Sequence, residues 1–481
     1  MTLAQAMPLW FYQHVPWAVF LFCFGACVGS FLNVVVYRLP AGISVISPPS
    51  RCPTCGARLT WRENLPILGW VLLRGRCRFC KAGISPQYMV IELSMALLFL
   101  GLYVLLYVIH PSTPWWGEIG GMWWYNNGIH RTYPAFIALA FLFVGLLGMT
   151  IIDARSFIIP IQIPLFVTII ALIAFPVQAV FNLSSAKPPS WPQHVTNGQW
   201  ADLAVGGMLG VLVSMILLRT RVLRMSFADY GDYLAPDSGD QPLPTDRATA
   251  FEVLFLIPMV IGLIAAGFFT LVGAVITASL AAAIVAVGMK LAGYKFDPPM
   301  TDSANQVLAP EYPHARREMM VELLYLLPPM LGMFGGYIVG GWLAGPSTPV
   351  FVQAVGGTMF GYLAGAGLVW GVRILGTLLF GREAMGLGDV HLMGAVGAVL
   401  GWQDAVVAFF LASFFGLLWF IMSILLGRMF SPRGLRRELP FGPHLALAAL
   451  AVFLCRPEIS SILARVLPML PVQLVDRQLW P

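Results

Sequence analysis

Charge is what this sequence has least of: Asp, Glu, Lys and Arg together make up 10% of its 481 residues. Soluble domains carry about 25%, so a water-soluble globule is excluded. Apolar residues reach 58%, which excludes disorder as well. Residues 1–15 hold no Lys or Arg. The positive n-region of a secretory signal is therefore missing, and the N-terminus is expected to stay uncleaved. No Gly-rich nucleotide-binding fingerprint occurs either. The net charge of +6 is modest and concentrated in loops. It reads as membrane orientation rather than nucleic-acid binding.

What the sequence has instead is apolar length, with a mean hydropathy of +0.80. Runs near membrane-spanning length cover 16–37, 88–109, 134–153, 161–181, 202–219, 251–269, 271–290, 319–344, 349–372, 390–402, 404–426 and 442–456. The expected fold is an all-α polytopic membrane protein with roughly twelve transmembrane helices. Loop 38–87 carries Arg38, Arg51, Arg58, Arg62, Arg74, Arg76, Arg78 and Lys81 against one acid, Glu63. The positive-inside rule makes that loop cytoplasmic and the N-terminus external. Loop 110–133, with Arg131 alone among Lys and Arg and many Trp and Tyr, suits the outer face. Alternation then puts 154–160, 220–250, 291–318, 373–389 and 427–441 inside, where Lys and Arg recur. Residues 251–258 and 321–328 share an apolar, acid-bearing pattern ending in Pro. A duplicated helical unit and chance similarity both account for it.

Two acids lie at the edges of apolar runs. Asp153 ends the run from Pro134, and Asp389 sits in Met385-Gly386-Leu387-Gly388-Asp389-Val390. An acid at a span edge either caps a helix or pairs in the interface, or it is functional. The loop charges place both at cytoplasmic ends, at matching depth, although 236 positions separate them. Two carboxylates brought together share a proton, one ionised and one neutral. Such a pair can activate a water and polarise a peptide carbonyl. Gly386 and Gly388 leave room for a substrate backbone beside Asp389.

Four of the seven cysteines form two Cys-x-x-Cys pairs, Cys52 with Cys55 and Cys77 with Cys80, separated by 21 residues. That spacing suits a closed tetrahedral thiolate site for structural Zn2+. Disulfides are the alternative, disfavoured on a cytoplasmic face. Zinc would fold a loop domain too small to hold a core alone.

Taken together, these motifs resemble the type IV prepilin peptidases, bacterial aspartic peptidases of the Gly-x-Gly-Asp type. Glu383-Ala384-Met385-Gly386-Leu387-Gly388-Asp389 is similar to their second active-site segment, and Ile152-Asp153 with Ile159-Pro160 to the first. Leu439-Pro440-Phe441-Gly442-Pro443 resembles their Pro-Phe-Gly-Pro loop. Gly29-Ser30-Phe31-Leu32-Asn33 with Arg38-Leu39-Pro40, and the Cys loop with Trp61-Arg62-Glu63-Asn64, resemble their N-terminal region. The likeness covers about 16–165 and 350–450 and leaves 170–350 without a role. His391 stands where the family usually has Lys, Ile161 follows Pro160 in place of an acid or amide, and the insert is large.

The resemblance implies cleavage of the basic leader of type IV prepilins or type II secretion pseudopilins at the cytoplasmic face of the bacterial inner membrane. It also implies N-methylation of the new terminus from S-adenosyl-L-methionine. Asp153 and Asp389 would be catalytic, Gly386, Gly388 and His391 would meet substrate, and Glu63, Asn64 and Glu92 would serve the methyl donor. The expected domains are a first transmembrane helix (1–37), the Cys loop (38–87), a first peptidase part (88–170), an insert (171–349), a second peptidase part (350–456) and a tail (457–481). A transporter using intramembrane carboxylates, or a non-catalytic scaffold with a zinc loop, would also fit composition alone.

Overall fold

The computed structural model describes residues 3–182, 198–220, 222–223, 225–227, 314–343, 350–430, 441–459 and 462. Among them the only non-helical pairings are two isolated bridges, Arg51 with Arg58 and Arg76 with Gly83. The helices are α1 (Leu3–Arg38), α2 (Leu68–Leu72), α3 (Gln87–Tyr103, ending in a π turn Val104–Val108), α4 (Trp116–Asn127), α5 (Ile129–Ser156) and α6 (Gln162–Asn182). Then follow α7 (Gly198–Arg219), α8 (Ala315–Leu343), α9 (Val350–Phe380), α10 (Leu387–Leu400), α11 (Trp402–Phe430) and α12 (Gly442–Leu454).

Eight of these are long and apolar enough to cross a membrane, and α10 and α12 are shorter apolar helices. Two of the twelve expected spans, 251–269 and 271–290, lie outside the described residues, as does the first copy of the weak repeat. Loop 110–133 differs from expectation by containing α4, whose Trp123 and Trp124 are buried. Its aromatic residues serve packing as well as any interface: Trp124 meets Tyr107 edge-on at 5.6 Å. Helix α5 also begins before Pro134, where the apolar pattern starts. Proline removes a helical donor and displaces its neighbours. Here Gln178 of α6 fills the break, donating to Arg131 O at 2.9 Å and accepting from Ala135 N at 3.5 Å.

The chain separates into two compact units, residues 1–193 with 403–481, and residues 194–402. In the first unit α1 lies against α3 along a stripe of small residues. A Cβ at Gly25 would sit 2.6 Å from Met95 O, and one at Gly29 would sit 2.6 Å from Glu92 Cα. Only glycine permits such an approach, the usual device where helices cannot associate by excluding water. Asn33, one turn further, bonds Gly29 O at 3.2 Å and Tyr88 O at 3.1 Å. Gly29→Leu is therefore expected to force α1 and α3 apart. About 1–3 kcal/mol of stability should be lost, read as a lower thermal midpoint of the detergent-solubilised chain; an unchanged midpoint would contradict this packing. Helix α5 forms the buried centre of the unit, and α12 packs on it, with Phe143 and Phe453 at 5.2 Å.

In the second unit α7 and α8 approach through Gly206, Gly332 and Gly336, whose missing side chains face backbone of the opposite helix. Helix α10 is buried from Val390 to Leu400 apart from His391, which is partly covered. It packs on α9, where Gly394 accommodates the ring of Tyr362. Its 14 residues fall short of a full span. A helix enclosed by others has no need to match the bilayer thickness.

Candidate active site

Asp153 belongs to the first unit and Asp389 to the second. Asp153 lies in the last turn of α5 and is 5% exposed. That turn ends at Phe157 in the left-handed conformation (φ 55), its amide closing on Asp153 O at 2.9 Å. The Asp153 carboxylate faces the start of α12, where Gly442 N donates to Oδ2 at 3.0 Å. Helix N-termini favour negative charge and present free amides. Pro443 follows within the first turn of that helix, where its missing N–H costs nothing. A Cβ on Gly442 would come 2.6 Å from Asp153 Oδ2. The glycine is required by this contact. The Pro-Phe-Gly-Pro motif is thus joined to the first aspartate segment, a role that sequence reading missed. Its only sequence signal is a glycine locked between Phe441 and Pro443.

Asp389 occupies the first turn of α10 and is 8% exposed. Gly386 is the residue before the helix, with extended backbone (φ −69, ψ 146), and its carbonyl accepts from Asp389 N at 3.2 Å. A Cβ at Gly386 would stand 3.5 Å from Asp389 Oδ2, so the carboxylate folds back over this glycine. Gly386 is exposed and Gly388 partly exposed. His391 points to α9, its Nδ1 2.8 Å from the Tyr362 hydroxyl.

The Cys loop closes on itself. All four thiol sulfurs lie within 4.8 Å of one another, Cys52 to Cys80 at 3.8 Å and Cys55 to Cys77 at 4.0 Å. Tetrahedral zinc thiolate, with Zn–S bonds near 2.3 Å, places sulfurs about 3.8 Å apart. The four thiols therefore fit zinc in number, chemistry and spacing. The two halves repeat one turn. Cys52 N bonds Ala57 O at 2.9 Å and Gly56 N bonds Cys52 O at 2.9 Å; Cys77 N bonds Ala82 O at 2.8 Å and Lys81 N bonds Cys77 O at 3.0 Å. Gly56 and Lys81 both adopt positive φ, 69° and 60°. Amides of Cys55 and Thr54 lower the Cys52 thiol, while burial and the neighbouring cysteines raise that of Cys55, so without metal the crowded thiols do not all ionise together.

Glu63 braces this loop. Its carboxylate accepts from Thr60 N at 2.8 Å and pairs with Arg78 at 3.3 Å. The Thr60 amide, and then Arg78, hold it below the usual carboxylate range. Glu92 reaches from α3 to accept from Ile67 N at 2.6 Å, just before α2. Asn64 is exposed. The structure thus brings Glu63 and Glu92 to the loop's own backbone and leaves Asn64 open to solvent.

Residues 23–106 match the bacterial peptidase A24 N-terminal domain, and residues 323–421 match the type IV leader peptidase family. The first stretch contains the Cys loop and Glu92, the second contains Asp389, and Asp153 lies in neither. A protein of Myxococcus xanthus named prepilin leader peptidase/N-methyltransferase is 56% identical over 82 residues, 17% of this chain and 24% of that protein. One of the same name from Klebsiella pneumoniae is 40% identical over 109 residues, 21% of this chain and 46% of its own. Another, from Pectobacterium carotovorum, is 30% identical over 235 residues, covering 44% of this chain and 67% of that protein.

The chain belongs to the type IV prepilin peptidase family. It nevertheless spans less than half the length of the first two relatives. No solved structure matches it. In this member of the family, the Gly442 amide and the Asp153 carboxylate join the start of α12 to the end of α5.

Proposed function

We propose that this chain is a membrane-embedded aspartic endopeptidase that removes the basic leader of type IV prepilins or type II secretion pseudopilins. The single observation that carries this reading is the Asp153–Gly442 hydrogen bond, which unites two family motifs 289 residues apart. Helix ends that bury acids among apolar residues need a reason, and peptide hydrolysis supplies one. In the proposed reaction one carboxylate, ionised, takes a proton from water as its oxygen attacks the scissile carbonyl carbon. The other, protonated, donates to the carbonyl oxygen. The tetrahedral intermediate then collapses, the C–N bond breaks, and the leaving nitrogen receives a proton from the pair. Gly386 and Gly388 would leave the substrate backbone free access to Asp389, with His391 held beside them by Tyr362. A transporter gains no support from family membership.

The proposed arrangement is a multi-pass protein of the bacterial inner membrane, with roughly twelve spans and both aspartates at the cytoplasmic face. Prepilins fit such a site because their scissile bond joins a polar leader to an apolar helix. The domain division proposed is that of the sequence reading, with the Cys loop serving methylation of the new N-terminus. S-Adenosyl-L-methionine would supply the methyl group. Glu63 and Glu92 would shape the loop that receives it, and Asn64 offers an exposed amide there. Zinc, held by Cys52, Cys55, Cys77 and Cys80, would act as a structural clip and take no part in hydrolysis.

Mass spectrometry of a co-expressed prepilin tests both halves together. The expected product is a pilin that has lost its leader and gained one methyl group on its new terminal amine. Intact prepilin in cells containing the membrane-inserted chain would sink the peptidase reading; a cleaved but unmethylated product would sink the methyltransferase half. Gly442→Ala provides a finer test. Its methyl would push the Asp153 carboxylate aside, so kcat should fall about 100-fold, the cost of roughly ångström misplacement in an active site. Native cleavage by Gly442→Ala would rule out this contact as an anchor.

A further inference from the structure

The second unit buries one ion pair that hydrolysis, as proposed, does not use. Arg373 of α9 and Glu322 of α8 have side chains 2% and 4% exposed. The arginine grips the carboxylate with Nε at 3.0 and 3.1 Å and Nη2 at 2.9 Å. Glu322 is saturated further by Trp370 Nε1 at 2.7 Å and Ser226 Oγ at 3.0 Å. The remaining nitrogen, Nη1, points away from this cluster. It donates to Glu383 Oε1 and to the carbonyl of Met385. Both acceptors belong to the segment that leads into Asp389.

That geometry matters because a peptide unit is planar. Fixing the Met385 carbonyl fixes the Met385–Gly386 plane, and Gly386 is the residue whose carbonyl receives the Asp389 amide. Glycine has no side chain to hold its own dihedrals, so a Gly-x-Gly-Asp segment must be held from outside. Three further contacts hold this stretch and the helix end before it. Ala384 N bonds Thr377 Oγ1 at 3.1 Å. Arg316 of α8 donates through Nε to Leu378 O at 2.8 Å and through Nη2 to Leu379 O at 3.4 Å, at the end of α9. Gly381 turns the chain there at φ 71.

We infer that Arg373 is a positioning residue for the Gly-x-Gly-Asp segment, and that Glu322 is the counter-charge that allows its guanidinium to lie buried behind it. Glu322 falls one residue before the stretch matching the type IV leader peptidase family. It belongs to the 170–350 region that the sequence motifs leave without a role. On this view α8 contributes to the shape of the aspartate segment without touching substrate. The functional side of the inference rests on the proposed peptidase reading; the structural side does not. Lys cannot replace Arg373, because an ammonium lacks the planar fork that serves a carboxylate and a carbonyl together.

The test uses full-length chain in detergent, with Arg373→Lys, Glu322→Gln and the apolar double variant Glu322→Leu/Arg373→Met. A buried pair replaced on both sides by apolar groups commonly leaves folding intact, so the double variant separates positioning from packing. In Arg373→Lys and in the double variant, hydrogen exchange of the Asp389 amide, which is bonded to Gly386 O, should rise about tenfold or more, as local opening becomes easier, while the mid-helix amides of α8 and α9 stay protected. Prepilin cleavage should lose about 100-fold in kcat with KM within about threefold, since substrate contacts are not removed. Unchanged exchange of the Asp389 amide in the double variant overturns the inference, whether or not the native chain cleaves prepilin. Full cleavage by the double variant overturns it too, because the pair would then serve packing alone. Raised exchange with no cleavage by the native chain would instead uphold the positioning and refute the peptidase reading.

Discussion

Asp153→Asn and Asp389→Asn should each reduce prepilin cleavage by at least about 1,000-fold, within the range that a positioned acid or base contributes. The two single losses should be similar, and the double variant little worse, because residues acting as one unit do not add. The amide is the right probe at both positions. At Asp153 an Asn oxygen can still accept from Gly442 N, the bond measured at 3.0 Å, so α12 keeps its anchor. Asp389 lies in the first turn of α10, two residues after its start, where Asn costs the helix little. Folding and zinc content should therefore match the native chain. A rate within tenfold of native in either variant would mean that the acid is a helix-end group, the reading each carries when viewed alone. Solute flux abolished by the same changes would instead favour a transporter.

The contrast between those two readings marks how far the sequence reaches. Asp153 and Asp389 stood out as candidates because acids are rare at the edges of apolar runs. The four cysteines were legible by spacing alone, and the 4.8 Å cluster of their sulfurs follows directly. Gly442 was not legible, because its partner lies 289 residues away and nothing local announces a carboxylate. Arg373 was read only as an inside-facing charge. Its partners, Glu322 and Met385 O, come from another helix and from backbone. Helix limits failed for similar reasons. Pro134 looked like a start because proline removes a helical donor, and the side chain that bonds Arg131 O and Ala135 N on either side of it, Gln178, comes from another helix. The aromatic run in 110–133 looked like an interface loop because Trp124 is covered by a residue of the preceding helix, Tyr107, which is itself held by Thr132 at 2.7 Å.

Removing zinc should separate the two proposed activities. Cys52→Ser or Cys77→Ser takes away one of four ligands, and each of these two cysteines is buried where its knuckle turns. The loop between α1 and α3 has little else to fold around: α2 is five residues long, and Leu68 and Leu72 are 57% and 73% exposed. Structural zinc is worth about 10–16 kcal/mol in small thiolate modules, far more than such a loop can recover by packing. Loss of metal should therefore unfold 50–85 while leaving α1 and α3 joined through Gly25, Gly29 and Asn33. Metal analysis should fall from one zinc per chain to none, and methylation of a pre-cleaved pilin peptide by at least about 100-fold, as expected when a site's supporting shell is lost. Cleavage should stay within about tenfold of native, because the Asp153 carboxylate is held by Gly442 N and the Asp389 amide by Gly386 O, neither of them a residue of the loop. Should methylation persist without zinc, the methyl-transfer site lies elsewhere on the chain. Should cleavage vanish with it, the loop takes part in presenting the scissile bond, and Glu92, whose carboxylate ties the loop to α3 through Ile67 N at 2.6 Å, is the residue through which it would do so.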